Sequence, residues 1–304
     1  MANGKMRKIL SLGLVAVLTA GIAVGCGNSG EKNPAQGSQQ NGSSQTEQNN
    51  QTKQEELSGT VTAAGSTALL PLVKQAASEF MDKHPKVTVN VTGGGSGTGL
   101  KQVAAGNVDI GNSDVEAGEE YKDAGLVDHV VAVAPFVLIV HKDVAVDNLT
   151  KQQAVDIFTG KITNWKDVGG KDQKIVLVHR PESSGSRKLV KNLILDGQEF
   201  SKEGITQESS GALKTAVSNT PGAIGYVDIA YADDSVKALK FDGVEYSKEN
   251  ISNGSYKLYG VEHMYTKGEP TGAVKAFLDY ILSDEFQNQR VEELKFLPAA
   301  TLKK

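Results

Sequence analysis

The chain is 304 residues long, 39% hydrophobic and 22% charged, a composition of ordinary globular proteins and not of disordered, collagen-like or multi-span membrane chains. Its formal net charge of -4 offers no basic balance with which to hold nucleic acid or an anionic membrane face. A bound anion would have to be held by local chemistry.

In chain order, Lys5, Arg7 and Lys8 precede an uncharged apolar run over 9–24, followed by Gly25-Cys26-Gly27. This order predicts a secretory signal peptide over 1–25, since the apolar stretch is short for a spanning helix. Cys26 is the only cysteine, which excludes a disulfide framework or a thiolate metal site. It directly follows Ala23-Val24-Gly25 and resembles the lipobox of bacterial lipoproteins, with Ala23 where Leu is commoner. That resemblance implies a diacylglycerol on the Cys26 thiol; ordinary cleavage beside an incidental cysteine is the alternative. Acyl chains contribute about 0.8 kcal/mol per buried CH₂ and would anchor the chain at the outer face of the cell membrane. Residues 26–58 are Ser, Gln, Asn, Gly, Glu and Lys with almost no apolar side chain, too little to offset chain entropy, and are expected to form a tether.

The folded body is expected from Gly59. A short strand at 60–64 leads to a helix at 69–83, where Leu69, Leu72, Val73, Ala76, Ala77 and Phe80 recur at helical spacing. A strand at 86–91, a glycine-rich loop at 93–99 and a helix opening at 100–105 follow. The run VVAVAPFVLIV at 130–140 reads as a strand buried on both faces. Beyond it come a helix at 149–158, a strand at 174–178, a helix at 186–195, strands at 222–227 and 256–265, and a helix at 271–283. Repeated βα units predict an α/β fold of mainly parallel sheets in two lobes, with ligands at the carboxyl ends of the strands.

Three polar loops are suited to an anion. Gly65-Ser66-Thr67 precedes a helix, whose first N–H groups lack intrahelical partners and carry the positive end of the dipole; a plain N-cap would look the same. Gly93 to Gly99, GGGSGTG, frees backbone N–H groups to approach a ligand, or makes a flexible turn. It is no nucleotide loop, because Leu100 stands where Lys is needed. Arg180-Pro181-Glu182-Ser183-Ser184-Gly185-Ser186 offers a guanidinium fork and donors at a helix start, with Glu182 placed to hold the guanidinium; a salt bridge beside an N-cap is the alternative. Asp114, in Asn112-Ser113-Asp114, is an Asx turn residue or a device that repels anions without a proton to donate, selecting protonated phosphate over sulfate.

Together and in order, AGSTALLP, TGGGSGTGLKQV, VDIGNSD, ITNWKDVGG, HRPESSGSR and PGAIGYVD resemble the phosphate-binding subunit of the bacterial high-affinity phosphate ABC transporter. The resemblance spans nearly all of 59–304. It implies a type II periplasmic-binding-protein fold, an α/β architecture of two lobes, with 59–133 plus 259–304 in the first and 134–258 in the second. The implied phosphate contacts are Thr67, the backbone N–H of Ala68, Ser96, Asp114 as acceptor, Arg180, Ser184, Gly185 and Ser186. Ala68 replaces an aromatic residue found in some members, which alters the pocket wall, while Ser186 stands where Thr also occurs and keeps the hydroxyl. The implied partners are two permease subunits and two ATP-binding subunits of a transporter, with no cofactor and no catalysis.

Rival readings are a binder of sulfate, molybdate or tungstate, a secreted phosphatase or serine hydrolase, and an adhesive or signalling ectodomain. His84, His129, His141, His179 and His263 show no metal-ligand spacing, and no Gly-x-Ser-x-Gly elbow occurs. Trp165, the only tryptophan, reads as a packed aromatic.

Overall fold

The computed structural model describes residues 56–302; the expectations for the signal peptide, Cys26 and nearly all of the tether lie outside the described residues. The body opens with β1 (Gly59–Gly65), α1 (Leu70–Lys83), β2 (Val87–Gly93), α2 (Ser96–Ala104) and β3 (Ile110–Ser113). The apolar positions expected on one face of α1, from Leu72 to Phe80, are buried, and Phe80 packs on Phe277 with ring centroids 5.4 Å apart. Each such aliphatic or aromatic side chain contributes on the order of 1.5–3 kcal/mol by leaving water.

A long strand, β4 (Leu126–Val140), follows, then β5 (Asn148–Leu149), α3 (Lys151–Phe158), β6 (Val176–His179), α4 (Gly185–Leu193), β7 (Ile205–Thr206), α5 (Ser210–Asn219) and β8 (Ala223–Asp228). The chain ends through β9 (Lys237–Ala238), β10 (Lys240–Phe241), α6 (Lys248–Ser252), β11 (Tyr259–Lys267), α7 (Gly272–Ile281), α8 (Asp284–Glu293) and β12 (Leu297–Pro298). Thr150 caps α3 with a full capping box involving Gln153, which satisfies two orphan N-terminal donors at once.

The main sheet runs β2-β1-β3-β11-β4-β8-β6-β7, with β9 and β12 also paired to β4. The flanks are parallel, as expected: β1 with β2 and β3, and β6 with β7 and β8. The centre is not. β11 runs antiparallel to both β3 and β4, and β4 antiparallel to β8. The expectation of a mainly parallel sheet fails at these strands because burial on both faces gives the same unbroken apolar run whatever the partner's direction.

β4 is the element common to both flanks. Its first part pairs with β11 as far as Pro135 opposite Tyr259, and from Phe136 onward it pairs with β8. Pro135 has no N–H to donate and sits where the partner changes; the next N–H, on Phe136, reaches the Leu258 carbonyl at 2.9 Å. The register of β4 against β11 shifts between Glu262 and His263, where Val131 of β4 is the extra residue, a bulge of the kind that re-aims side chains. Trp165 is a packed aromatic as expected, 1% exposed, with Nε1–H donating to the Gly222 carbonyl at 2.9 Å.

Candidate anion-binding site

Four helix N-termini meet where the two flanks of the sheet face each other. At the first, the Ser66 hydroxyl accepts the Leu69 N–H at 3.0 Å and donates to the Asp114 carboxylate. Thr67 Oγ1 accepts the Ser210 N–H at 3.1 Å, and the Thr67 carbonyl accepts the Tyr231 hydroxyl at 2.5 Å. Ala68, next in line at the entry to α1, is fully buried.

The glycine-rich segment is a shorter loop than its composition suggests. Gly95, at φ +87, is the N-cap and Ser96 already opens α2, so Gly97 and Gly99 lie in the first helical turns. A side chain at Gly95 would be strained by that φ and would press within 3.0 Å of the Ser183 carbonyl. Ser96 is fully buried, and its Oγ accepts the Asp114 N–H at 3.0 Å.

From the other flank, the turn after β6 brings Arg180, and α4 opens at Gly185 behind the N-cap Ser184, whose hydroxyl accepts the Arg187 N–H. Ser186 donates to Asp114 Oδ2 at 2.9 Å. Gly185 is what allows this approach: a Cβ there would lie 2.2 Å from Ser96 Oγ and 2.9 Å from Asp114 Oδ2. Gly97 N–H also reaches the Ser183 carbonyl at 2.9 Å. Thr67, Ser96, Asp114, Arg180, Ser184, Gly185 and Ser186 are therefore gathered in one buried place.

Arg180 is 2% exposed and is fixed by the segment before α5. Nε donates to the Gln207 carbonyl at 3.1 Å, one terminal nitrogen to the Glu208 carbonyl at 3.1 Å and the other to Ser210 Oγ at 3.2 Å. A guanidinium has five N–H groups, so one remains on each terminal nitrogen, the arrangement for a forked grip on an oxyanion. Burial pulls the guanidinium pKa below its ordinary value, while Asp114 pulls in the opposite direction. Glu182 does not hold Arg180, contrary to the sequence reading: its carboxylate pairs with Arg187 at 2.9 Å, and it stands exposed at the surface while Arg180 points inward. His179 faces away from the gathering, with Nε2 against the Glu203 carbonyl at 2.9 Å and its ring packed on Phe200. It closes the loop.

Three participants escaped the sequence reading. Ser210 opens α5 behind the cap Ser209; the Ser209-Ser210 pair ahead of Ala212 and Leu213 was the available signal. Asp228, at the end of β8, and Glu262, in β11, are both fully buried. Burial raises the Asp228 pKa well above the carboxylate range, with Asp114 adding to it. Burial does the same to Glu262, reinforced by Asp114 and Asp228. Neither was visible locally, because each lies in a strand reading as ordinary core. Among the described residues no group of three or more His, Cys, Asp or Glu side chains is placed to hold a metal ion.

The place therefore combines four positive helix ends, several hydroxyl and backbone donors, one guanidinium and one carboxylate. It has the chemistry of an anion site with a built-in acceptor. Residues 44–285 match the PBP superfamily domain. The chain is 44% identical over 302 residues to the phosphate-binding protein PstS of Bacillus subtilis (strain 168), a match covering 98% of this chain and 96% of that one. It is 27% identical over 253 residues to the phosphate-binding protein PstS of Borreliella burgdorferi, over 79% of this chain and 90% of that one. A crystal structure from Clostridium perfringens, described as a phosphate ABC transporter substrate-binding protein with bound phosphate, superposes with TM-score 0.76 at 36% identity, over 79% of this chain and 99% of that chain. An ABC-type phosphate transport receptor from Vibrio cholerae superposes with TM-score 0.65 at 28% identity, over 78% and 99%. These neighbours share the two-lobed α/β periplasmic-binding-protein fold expected from the sequence. Matched along almost its whole length by a protein of this kind, the chain belongs to the PstS family of phosphate-binding proteins within the PBP superfamily.

Proposed function

We propose that the protein binds one inorganic phosphate at this gathering of helix ends and delivers it, without chemical conversion, to the permease of an ABC transporter outside the cytoplasm. The observation that carries the reading is Asp114 at the centre of an anion-suited site, already accepting from Ser66 and Ser186. A carboxylate repels a fully ionised oxyanion but accepts a hydrogen bond from monohydrogen or dihydrogen phosphate. In this reading Thr67, the Ala68 N–H, Ser96, Ser184, Gly185 and Ser186 donate, Arg180 grips two oxygens, and Ser210 holds Arg180 and Thr67 in register.

The same reading assigns 59–133 with 259–304 to one lobe and 134–258 to the other. It is supported by the neighbouring crossings at Pro135–Phe136 and Leu258–Tyr259, where β4 changes partner. Phosphate draws the lobes together by contacting both sets of loops, which shifts the population toward the closed form. The closed form then docks on an assembly of two transmembrane and two ATP-binding subunits.

Isothermal titration of phosphate and sulfate into the purified protein, unfolded and refolded to strip carried ligand, tests the site. One-to-one phosphate binding with no sulfate heat is expected, and Asp114→Asn should narrow the phosphate-to-sulfate ratio by about tenfold or more. Absence of phosphate binding by the folded protein would redirect the reading to another oxyanion. The lipid anchor is proposed from Cys26 and its lipobox resemblance. Cys26→Ser should move the protein from the membrane fraction to the medium, whereas retention in the membrane would refute the anchor.

A further inference from the structure

Glu262 is a carboxyl group with no role in the anion contacts above, yet it is fully buried beside them. It is 0% exposed, and neither carboxyl oxygen has a hydrogen-bond partner among donors fixed by the fold. An isolated carboxylate so placed would be very costly, so such a group keeps its proton or finds one to share.

Register supplies the neighbour. In the antiparallel pairing of β11 with β3, Met264 faces Asn112 and His263 faces Ser113. The ladder ends at that pair; continued by one residue past the end of β3, it sets Glu262 opposite Asp114. Directly opposed residues project to the same face with Cβ atoms roughly 4.5–5.5 Å apart. Gly260 gives an independent bearing, because residues two apart on a strand share a face. A Cβ on Gly260 would meet Leu189 Cδ1 at 2.5 Å and lie 3.3 Å from the Asp114 backbone oxygen. The β4 strand bulges at Val131, between the partners of Glu262 and His263. The charged groups around Glu262 are Asp114 from the loop after β3 and Asp228 from the end of β8; its partner on β4 is Ala132. Arg180 bears on Asp114 and Lys295 on Asp228.

We propose that Glu262 is a positioning residue for the phosphate site: as a neutral carboxylic acid it donates a hydrogen bond to the Asp114 carboxylate and fixes that carboxylate as an acceptor for the hydrogen of phosphate. The donor capacity matters because Asp114 otherwise faces a second carboxylate as well as the anion. With the proton on Glu262, the O–H dipole stabilises Asp114 and removes one negative charge from the surroundings of the ligand. Asp114 then has Ser66, Ser186 and Glu262 as fixed donors, and one acceptor position left for the ligand's own hydrogen. The inference rests on the phosphate reading and deepens it.

The test compares wild type, E262Q and E262L by isothermal titration with phosphate and sulfate from pH 5 to pH 9. The amide of E262Q can still donate but does not titrate. The leucine of E262L neither donates nor leaves a buried carboxyl. Near neutral pH, E262Q should bind phosphate within about threefold of wild type, and E262L about tenfold or more weakly, since donors to charged groups are the stronger ones. The ratio of wild-type to E262Q affinity cancels the titration of phosphate itself. It should stay flat from pH 5 to pH 7, where Glu262 keeps its proton. E262Q should also lack part of the protonated-carboxyl infrared absorption of wild type at neutral pH.

Equal phosphate affinity and unchanged sulfate rejection in a folded E262L would overturn the proposal, as would an affinity ratio that already falls between pH 5 and pH 7 or an unchanged infrared band in E262Q. Should E262L fail to fold, the ratio and the band still decide. If wild type itself gives no phosphate heat, the phosphate reading fails, while the infrared difference still reports on the proton of Glu262.

Discussion

Asp228 shows how much of the site's behaviour is set by single buried groups. Oδ1 accepts the Ala230 N–H at 2.6 Å, Oδ2 has no partner, and burial raises the pKa well above the usual range. Such a group binds its proton more tightly in the folded chain than in the unfolded one. It therefore costs nothing below the ordinary carboxylate pKa of about 4 and destabilises the fold progressively as pH rises above it. Asp228→Asn keeps the shape and the Ala230 partner without the titration. Its melting temperature should equal that of wild type near pH 4 and exceed it by a few degrees, about 2–4 °C per kcal/mol, near pH 8. An equal melting temperature at both pH values would show that the carboxyl is not held neutral. At this scale the sequence was informative where chemistry sits in loops: Thr67, Ser96, Asp114, Arg180 and Ser186 all carry their signal in the residues beside them. Glu182 misled because a carboxylate near a guanidinium in sequence fitted either Arg180 or Arg187, and only the fold separates the two. Asp228 and Glu262 were illegible because strand neighbours conceal what a side chain faces across the sheet.

At the scale of elements, the helix starts matter more than the helix bodies. α2 begins at Ser96 and α4 at Gly185, and the two N-terminal turns lie against each other with room for no more than hydrogen at position 185. Gly185→Ala would place a methyl group into Ser96 Oγ and the Asp114 side chain, so the two turns must separate. Because the clash lies between the two flanks of the sheet and not within one, phosphate affinity should fall about tenfold or more while the melting temperature of the ligand-free protein changes by no more than about 2 °C. An unchanged phosphate affinity would mean that the two turns need not approach for binding. Most strands and helices were legible from periodicity. α5 and α8 were not. α8, DEFQNQRVEE, buries only Phe286, Gln287 and Val291, leaving too few apolar positions to make a pattern, and α5 is masked by small residues. The antiparallel centre was illegible for a different reason, since strand direction leaves no mark on a run that is buried on both faces.

For the molecule as a whole, the two flanks of the sheet contribute their loops to one site, so affinity depends on their relative placement as much as on any single contact. Tyr231 from one flank reaches the Thr67 carbonyl of the other, and Ser210 reaches the Thr67 side chain. These contacts join the two flanks beside the anion site. The crossings themselves have a consequence for folding. β4 gives its first half to one sheet flank and its second half to the other, and Val131 to Val140 are buried throughout. An intermediate with one lobe folded and the other unravelled would leave half of that apolar strand without a partner in water, its backbone groups unpaired and its side chains exposed. The two lobes are thus one cooperative unit. Calorimetry should record a single transition whose calorimetric and van't Hoff enthalpies agree, and the amides of β4 should be the last to exchange with deuterium on both sides of Pro135.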